Sequence, residues 1–108
     1  MKSLTRKEEL LILTILNLKK NAYLIAITDH LTKVTGKKVS LTSVHAPLSR
    51  LEKYGVIKGE NGEATAVRGG RRKKIYSVTK LGHEMLENYK KITDTLWANH
   101  LKFSNPKD

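Results

Sequence analysis

The run Ser40-Leu-Thr-Ser-Val44-His-Ala-Pro-Leu48-Ser-Arg-Leu51-Glu-Lys-Tyr-Gly55 carries the most structural information in this chain. Val44, Leu48 and Leu51 recur at spacings of four and three, which gathers them on one face of a helix and leaves the opposite face polar. Gly55 closes that helix, because glycine enters the left-handed conformation of a C-terminal cap without steric cost. Ser40, Thr42 and Ser43 can each cap its start. Pro47 has no amide hydrogen and suits a first turn better than a second, so the spacing predicts a start near Thr42 or Ser43.

Two helices are expected upstream. Thr5-Arg6-Lys7-Glu8 has the spacing of a capping box, in which hydroxyl and carboxylate each satisfy a backbone donor. The helix it opens reaches about Leu18, and Leu10, Leu11, Leu13, Ile15, Leu16 and Leu18 cover more than one of its faces, so a second subunit is one candidate cover. After Lys19-Lys20-Asn21, the spacing of Leu24, Ile27, Leu31 and Val34 predicts a second helix ending at Gly36.

Downstream, Val56-Ile57-Lys58 and Ile75-Tyr76-Ser77-Val78 are β-prone, and Gly59, Asn61, Gly62, Gly69 and Gly70 punctuate the polar segment between them, the pattern of a long β-hairpin. Ile75 and Tyr76 alternate, with Tyr76 expected in the core rather than as a stacking platform. Thr79 can cap a last helix whose Leu81, Met85, Tyr89, Ile92 and Leu96 keep one stripe, broadened by Leu86, Trp97 and Leu101. It is expected to end near His100, with residues 104–108 a frayed tail.

The 108 residues suit a single domain with a modest core. Its 21 Lys and Arg against 10 Asp and Glu give a formal charge of +11, a field that attracts polyanions, with nucleic acid the first candidate partner and a merely solubilising surface the alternative. The absence of cysteine rules out disulfides, thiolate metal sites and cysteine nucleophiles, and agrees with a cytoplasmic protein. The apolar stretch from Leu10 to Leu18 is too short for a bilayer, and the N-terminus lacks the features of a signal peptide. His30, His45, His83 and His100 fall on separate elements, and no Walker motif, nucleophile elbow or paired acid-base set is present. Neither a metal, nor a cofactor, nor an enzymatic role is expected.

Three helices followed by a hairpin form the order of a winged helix-turn-helix, a mainly α fold with a small β-hairpin whose third helix enters the major groove while the wing reaches the backbone or minor groove. Arg68-Gly-Gly-Arg71-Arg72-Lys73-Lys74 sets five basic residues at the predicted wing tip, where chemistry for phosphates is wanted. A solvated basic loop is the plainer alternative for the same run.

The chain resembles the PadR family of transcriptional regulators through Val44-His-Ala-Pro-Leu48-Ser-Arg50-Leu51-Glu52-Lys-Tyr-Gly55-Val56-Ile57, then Gly-Gly-Arg-Arg-Lys, then Ile75-Tyr76-Ser77-Val78-Thr79-Lys-Leu-Gly82. Two positions depart from the family pattern: His45 stands where tyrosine is common, and Ala22-Tyr23 where Gly-Tyr often opens the second helix. His45 is the one that bears on base preference. The resemblance implies a homodimer, usually a repressor, with residues 1–78 as the DNA-binding domain and 79–103 as a long C-terminal dimerisation helix. On a palindromic double-stranded operator, the contacts it implies are Thr42, Ser43, His45, Ser49 and Arg50 on the third helix and Arg68, Arg71, Arg72 and Lys73 on the wing.

Arg50 is the strongest candidate on the third helix, through two phosphate oxygens or a guanine edge, against the alternative of a solvated helix residue. Thr42 and Ser43 have capping as theirs. Leu81, Met85, Tyr89, Ile92, Leu96 and Trp97 are the expected dimer interface. Some small members of the resembled family bind flat aromatic compounds between subunits; Trp97, Tyr89 and Phe103 lie where such an effector would sit, with Trp97 as a plain interface anchor the simpler reading. The competing function is a winged-helix module for RNA or a protein partner; the 6% aromatic content argues against RNA stacking, and a protein partner would not require a basic wing.

Overall fold

The computed structural model describes residues 3–64 and 72–103. In order it contains α1 (Arg6–Leu18), a short 3-10 turn (Lys19–Asn21), α2 (Leu24–Thr35), α3 (Leu41–Lys53), β1 (Ile57–Ala64), β2 (Arg72–Val78) and α4 (Lys80–Phe103). This is the mainly α, winged arrangement expected. The tail at 104–108 lies outside the described residues. Among the described residues no helix is long and apolar enough to cross a membrane.

Local chemistry sets most of the boundaries. Thr5 Oγ1 accepts from the Glu8 amide at 3.2 Å and the Glu8 carboxylate accepts from the Thr5 amide at 2.8 Å, so the capping box closes. Gly36, at φ +72°, ends α2, and the Val39 amide donates to Thr32 Oγ1 across the turn into α3. Gly55, at φ +76°, ends α3; its amide bonds to the Glu52 carbonyl and the Val56 amide to the Leu51 carbonyl, so two otherwise orphaned carbonyls are satisfied as the chain turns into β1.

The start of α3 differs from expectation. The helix begins at Leu41, capped by Ser40, which puts Pro47 in its second turn. Two reciprocal bonds favour the early start: Ser40 Oγ accepts from the Ser43 amide at 3.2 Å, and the Ser43 hydroxyl donates to the Ser40 carbonyl at 2.8 Å. Pro47 forfeits the bond to the Ser43 carbonyl, but Ser43 is only half-buried, so water can serve that oxygen.

The hairpin is antiparallel, in register from Ile57 opposite Val78 to Asn61 opposite Lys74, and shifts before Ala64 meets Arg72. Its base is sewn to the start of α2: the Tyr76 amide donates to the Ala22 carbonyl at 2.8 Å and Tyr23 bridges Ile75. Tyr76 is buried, as expected, in a core shared with Leu11, Ile15, Ile27, Leu48 and Leu51.

Thr79 caps α4 by accepting from the Gly82 amide at 3.1 Å, while its hydroxyl reaches the Gly55 carbonyl at 2.6 Å. At Gly82 the helix crosses so near β1 that a Cβ would run into the Val56 carbonyl oxygen and lie 2.7 Å from Val78 Cγ1. Met85, Leu86 and Tyr89 pack against the core. Beyond them α4 projects, three residues past the expected end at His100, and the molecule measures 64 × 29 × 20 Å. Its radius of gyration, 16.8 Å, exceeds the roughly 13 Å of a compact chain this long because of that projection.

Candidate nucleic-acid interface

Helix α3 buries Val44, Leu48 and Leu51 and turns Thr42, Ala46, Ser49 and Lys53, spaced four, three and four, to the opposite side. All four are exposed, and none is acidic. His45 and Arg50, also exposed, fall roughly 70° to either side of that line at 3.6 residues per turn. With Ser40 as the cap, the Thr42 hydroxyl is not consumed in capping, whereas the Ser43 hydroxyl is bonded back to the Ser40 carbonyl.

Each flank of α3 is held by an ion pair. On one side Arg50 Nη2 donates to Glu8 Oε2 at 2.8 Å, tying α3 to the first turn of α1. The Glu8 side chain is 2% exposed and that of Arg50 57%, so the guanidinium reaches inward with one edge and meets water with the rest. Burial pushes the Glu8 carboxyl up, but the bonds from the Thr5 amide and Arg50 together outweigh it and hold the group below the ordinary carboxylate range. Arg50 therefore spends part of its donor set inside the protein.

On the other side Lys74 Nζ donates to Glu52 Oε1 at 2.7 Å, linking β2 to α3. That bond raises the lysine above its ordinary range. Lys73, the next residue along the strand, lies 4.3 Å over the ring of Tyr23 and remains exposed. Adjacent strand residues point to opposite faces, so the two lysines grip different sides of the wing. Burial pushes the Tyr76 phenol up. Arg68 and Arg71 lie outside the described residues, as does the Arg72 side chain; Arg72 enters only as the first residue of β2.

Two residues escape the sequence reading of this face. Lys53 and Ala46 share the line of Thr42 and Ser49, and the same periodicity that found the buried stripe could have found them. Lys7 is a third, since it lines a shallow groove with Glu8, Ala46, Pro47 and Arg50. Only the fold brings the start of α1 there.

Away from α3, Leu81, Ile92, Leu96 and Trp97 are exposed along α4, while Met85 and Tyr89 are half-buried against the chain's own core. Trp97 meets His100 edge-on at 5.8 Å and, with Leu13, lines a groove between α1 and α4. Tyr89 lines another with Leu4 and Ile92. Within one chain the two aromatics thus belong to different grooves, and the Phe103 side chain lies outside the described residues. Among the described residues no three His, Cys, Asp or Glu side chains cluster as metal ligands would.

The profile of a family described as the transcriptional regulator PadR-like family matches residues 12–88. Among solved structures, a PadR family transcriptional regulator from Eggerthella lenta superposes with a TM-score of 0.70 at 22% identity, covering 93% of this chain and 85% of that one. A PadR-like regulator from Bacillus cereus gives 0.69 at 23% identity, with 92% and 94% covered. A PadR family regulator from Clostridium difficile gives 0.68 at 22%, with 91% and 98% covered. At these identities the likeness is one of fold. No curated protein matches the sequence.

Proposed function

The chain belongs to the PadR-like family of transcriptional regulators, and from that premise we propose that it is a sequence-specific, double-stranded-DNA-binding repressor working as a cytoplasmic homodimer. In this reading residues 1–78 form the DNA-binding unit and 79–103 the dimerising helix. Thr42, Ser43, His45, Ser49 and Arg50, joined by Lys53, face the major groove, and Arg68, Arg71, Arg72 and Lys73 of the wing meet the backbone or minor groove.

The observation that carries the reading is the outward line of α3. Thr42, Ala46 and Ser49 are small enough for the helix backbone to approach base edges, Lys53 supplies a cation, and the helix's one carboxylate, Glu52, is bonded to the wing lysine instead of facing phosphate. A helix that merely closed a core would need no such clearance. Two copies give a palindromic operator with half-sites about 34 Å apart. Leu81, Ile92, Leu96 and Trp97, exposed at 45%, 51%, 61% and 59%, are the surface a second copy covers, with Met85 and Tyr89 behind them. An aromatic effector between subunits would sit near Trp97 and would quench its fluorescence on titration; Trp97 filling its own space would leave the fluorescence unchanged.

The test is fluorescence anisotropy against the duplex upstream of the protein's own gene and against a shuffled duplex, at two salt concentrations. The expected result is a preference for the native duplex that persists at higher salt, since phosphate binding without sequence preference weakens most. Equal, salt-sensitive binding to both would reject sequence specificity for that site. Preference for RNA, or no nucleic-acid binding, would move the function to an RNA or protein partner.

A further inference from the structure

Lys74 belongs to the basic run of the wing, yet we propose that it does not bind DNA: its bridge to Glu52 straps the wing to the recognition helix and sets the spacing at which the two meet a duplex. The proposal rests on the DNA-binding reading above. The strap joins residues 22 positions apart at 2.7 Å, with Lys74 45% and Glu52 31% exposed.

The packing beneath the bond follows the same line. The stem of Lys74 crosses β1 over Gly59, where a Cβ would run into Lys74 Cε and lie 3.2 Å from its Cδ and 3.1 Å from Glu52 Oε2. The φ of Gly59 is outside the left-handed region, and the neighbours of that Cβ are the flexible ends of the two bridged side chains. The slot and the bridge belong to one device. On the other face of the hairpin, the neighbouring Lys73 rests over Tyr23 at 4.3 Å. A two-stranded hairpin is marginal alone and takes its orientation from such anchors. A part-exposed ion pair adds little to folding stability, and its consequence is therefore geometric.

Strap and phosphate ligand predict opposite signs for Glu52→Gln. Were Lys74 a phosphate ligand, losing the competing carboxylate would free it and tighten binding. As a strap, the variant weakens duplex binding about fivefold. The variant leaves the slope of log affinity against log salt unchanged. A lost phosphate contact would lower that slope by about one. The charge-swapped pair Glu52→Lys with Lys74→Glu recovers affinity to within about twofold of wild type, because the bridge is remade while the net charge is unchanged. Tighter binding by Glu52→Gln, or failure of the swap to recover, overturns the proposal.

Amide exchange in the free protein separates this from the reading beneath it. Exchange across the β1–β2 ladder around Asn61 and Lys74 accelerates in Glu52→Gln and returns in the swap. Unchanged exchange overturns the strap even where DNA binds. No duplex binding by wild type overturns the DNA role, with exchange alone then deciding whether the strap exists.

Discussion

Replacing Arg50 by methionine keeps an unbranched stem in the groove of Lys7, Ala46 and Pro47 and removes the donor to Glu8 Oε2. Glu8 Oε1 keeps its bond from the Thr5 amide, so the capping box survives and the loss isolates the link between α1 and α3. A hydrogen bond to a charged group contributes about 1.5–3 kcal/mol, and because the Arg50 side chain is 57% exposed the lower figure applies, about 1.5 kcal/mol. For a domain of this size that lowers Tm by about 6–12 °C at neutral pH. In the wild type the folded-state pKa of Glu8 lies below its unfolded value, so this stabilisation is complete above the unfolded value and is lost as pH falls through the folded one. In the variant burial still pushes the carboxyl up while one opposing bond is gone, so acid costs it less, and the two Tm curves converge as the pH falls through the carboxylate range. Thermal unfolding followed by circular dichroism at fixed protein concentration measures both effects. A Tm within about 2 °C of wild type at neutral pH, or a gap that stays constant on acidification, would refute the assignment of this bond as a structural link.

Gly82→Ala is expected to destabilise the fold by about 1–3 kcal/mol in urea denaturation, since the added methyl meets the rigid Val56 carbonyl; a midpoint unchanged from wild type would contradict the close crossing of α4. Leu96→Asp should leave the circular dichroism spectrum intact, because Leu96 is 61% exposed, while light scattering falls from twice the 12.2 kDa chain mass to the single chain; a wild type already monomeric at working concentration would sink the dimer. Lys53→Ala, Arg50→Ala and Arg71→Ala should each weaken duplex binding, with the salt slope dropping by about one wherever a phosphate contact is lost. Unchanged affinity in both arginine variants would reject the placement of the interface.

What the sequence made legible was local. The Thr5–Glu8 box, the Gly36 and Gly55 stops and the Thr79 cap are each written within four residues, and the alternation at Ile75 and Tyr76 needs only the period of a strand. The start of α3 is not legible in the sequence because the cost of Pro47 depends on whether water reaches the Ser43 carbonyl and on the reciprocal Ser40–Ser43 bonds, neither of which a propensity scale contains. Glu8 was read as half of a capping box, which accounts for one carboxylate oxygen; the other oxygen binds a residue 42 positions away. Periodicity says nothing at that range. On α3, Lys53 shares the period of Thr42, Ala46 and Ser49 and is legible by spacing alone.

The same distinction governs what the charge means. A count of 21 basic residues measures the field, but among the described residues Arg50, Lys58, Lys74 and Lys90 are each bonded to a carboxylate, and those of Arg50 and Lys74 serve to hold α3 in place. Lys53 and Lys7 are not engaged in these pairs and lie on or beside the outward face of α3. Each phosphate neutralised contributes about 0.9 to the salt slope, so a wild-type complex should report only the cations that reach phosphate, the open edge of Arg50 and the wing arginines among them, and not the formal charge. On the proposed reading, basicity brings the duplex near, and the pairs at Arg50 and Lys74 fix α3 against α1 and the wing before it arrives.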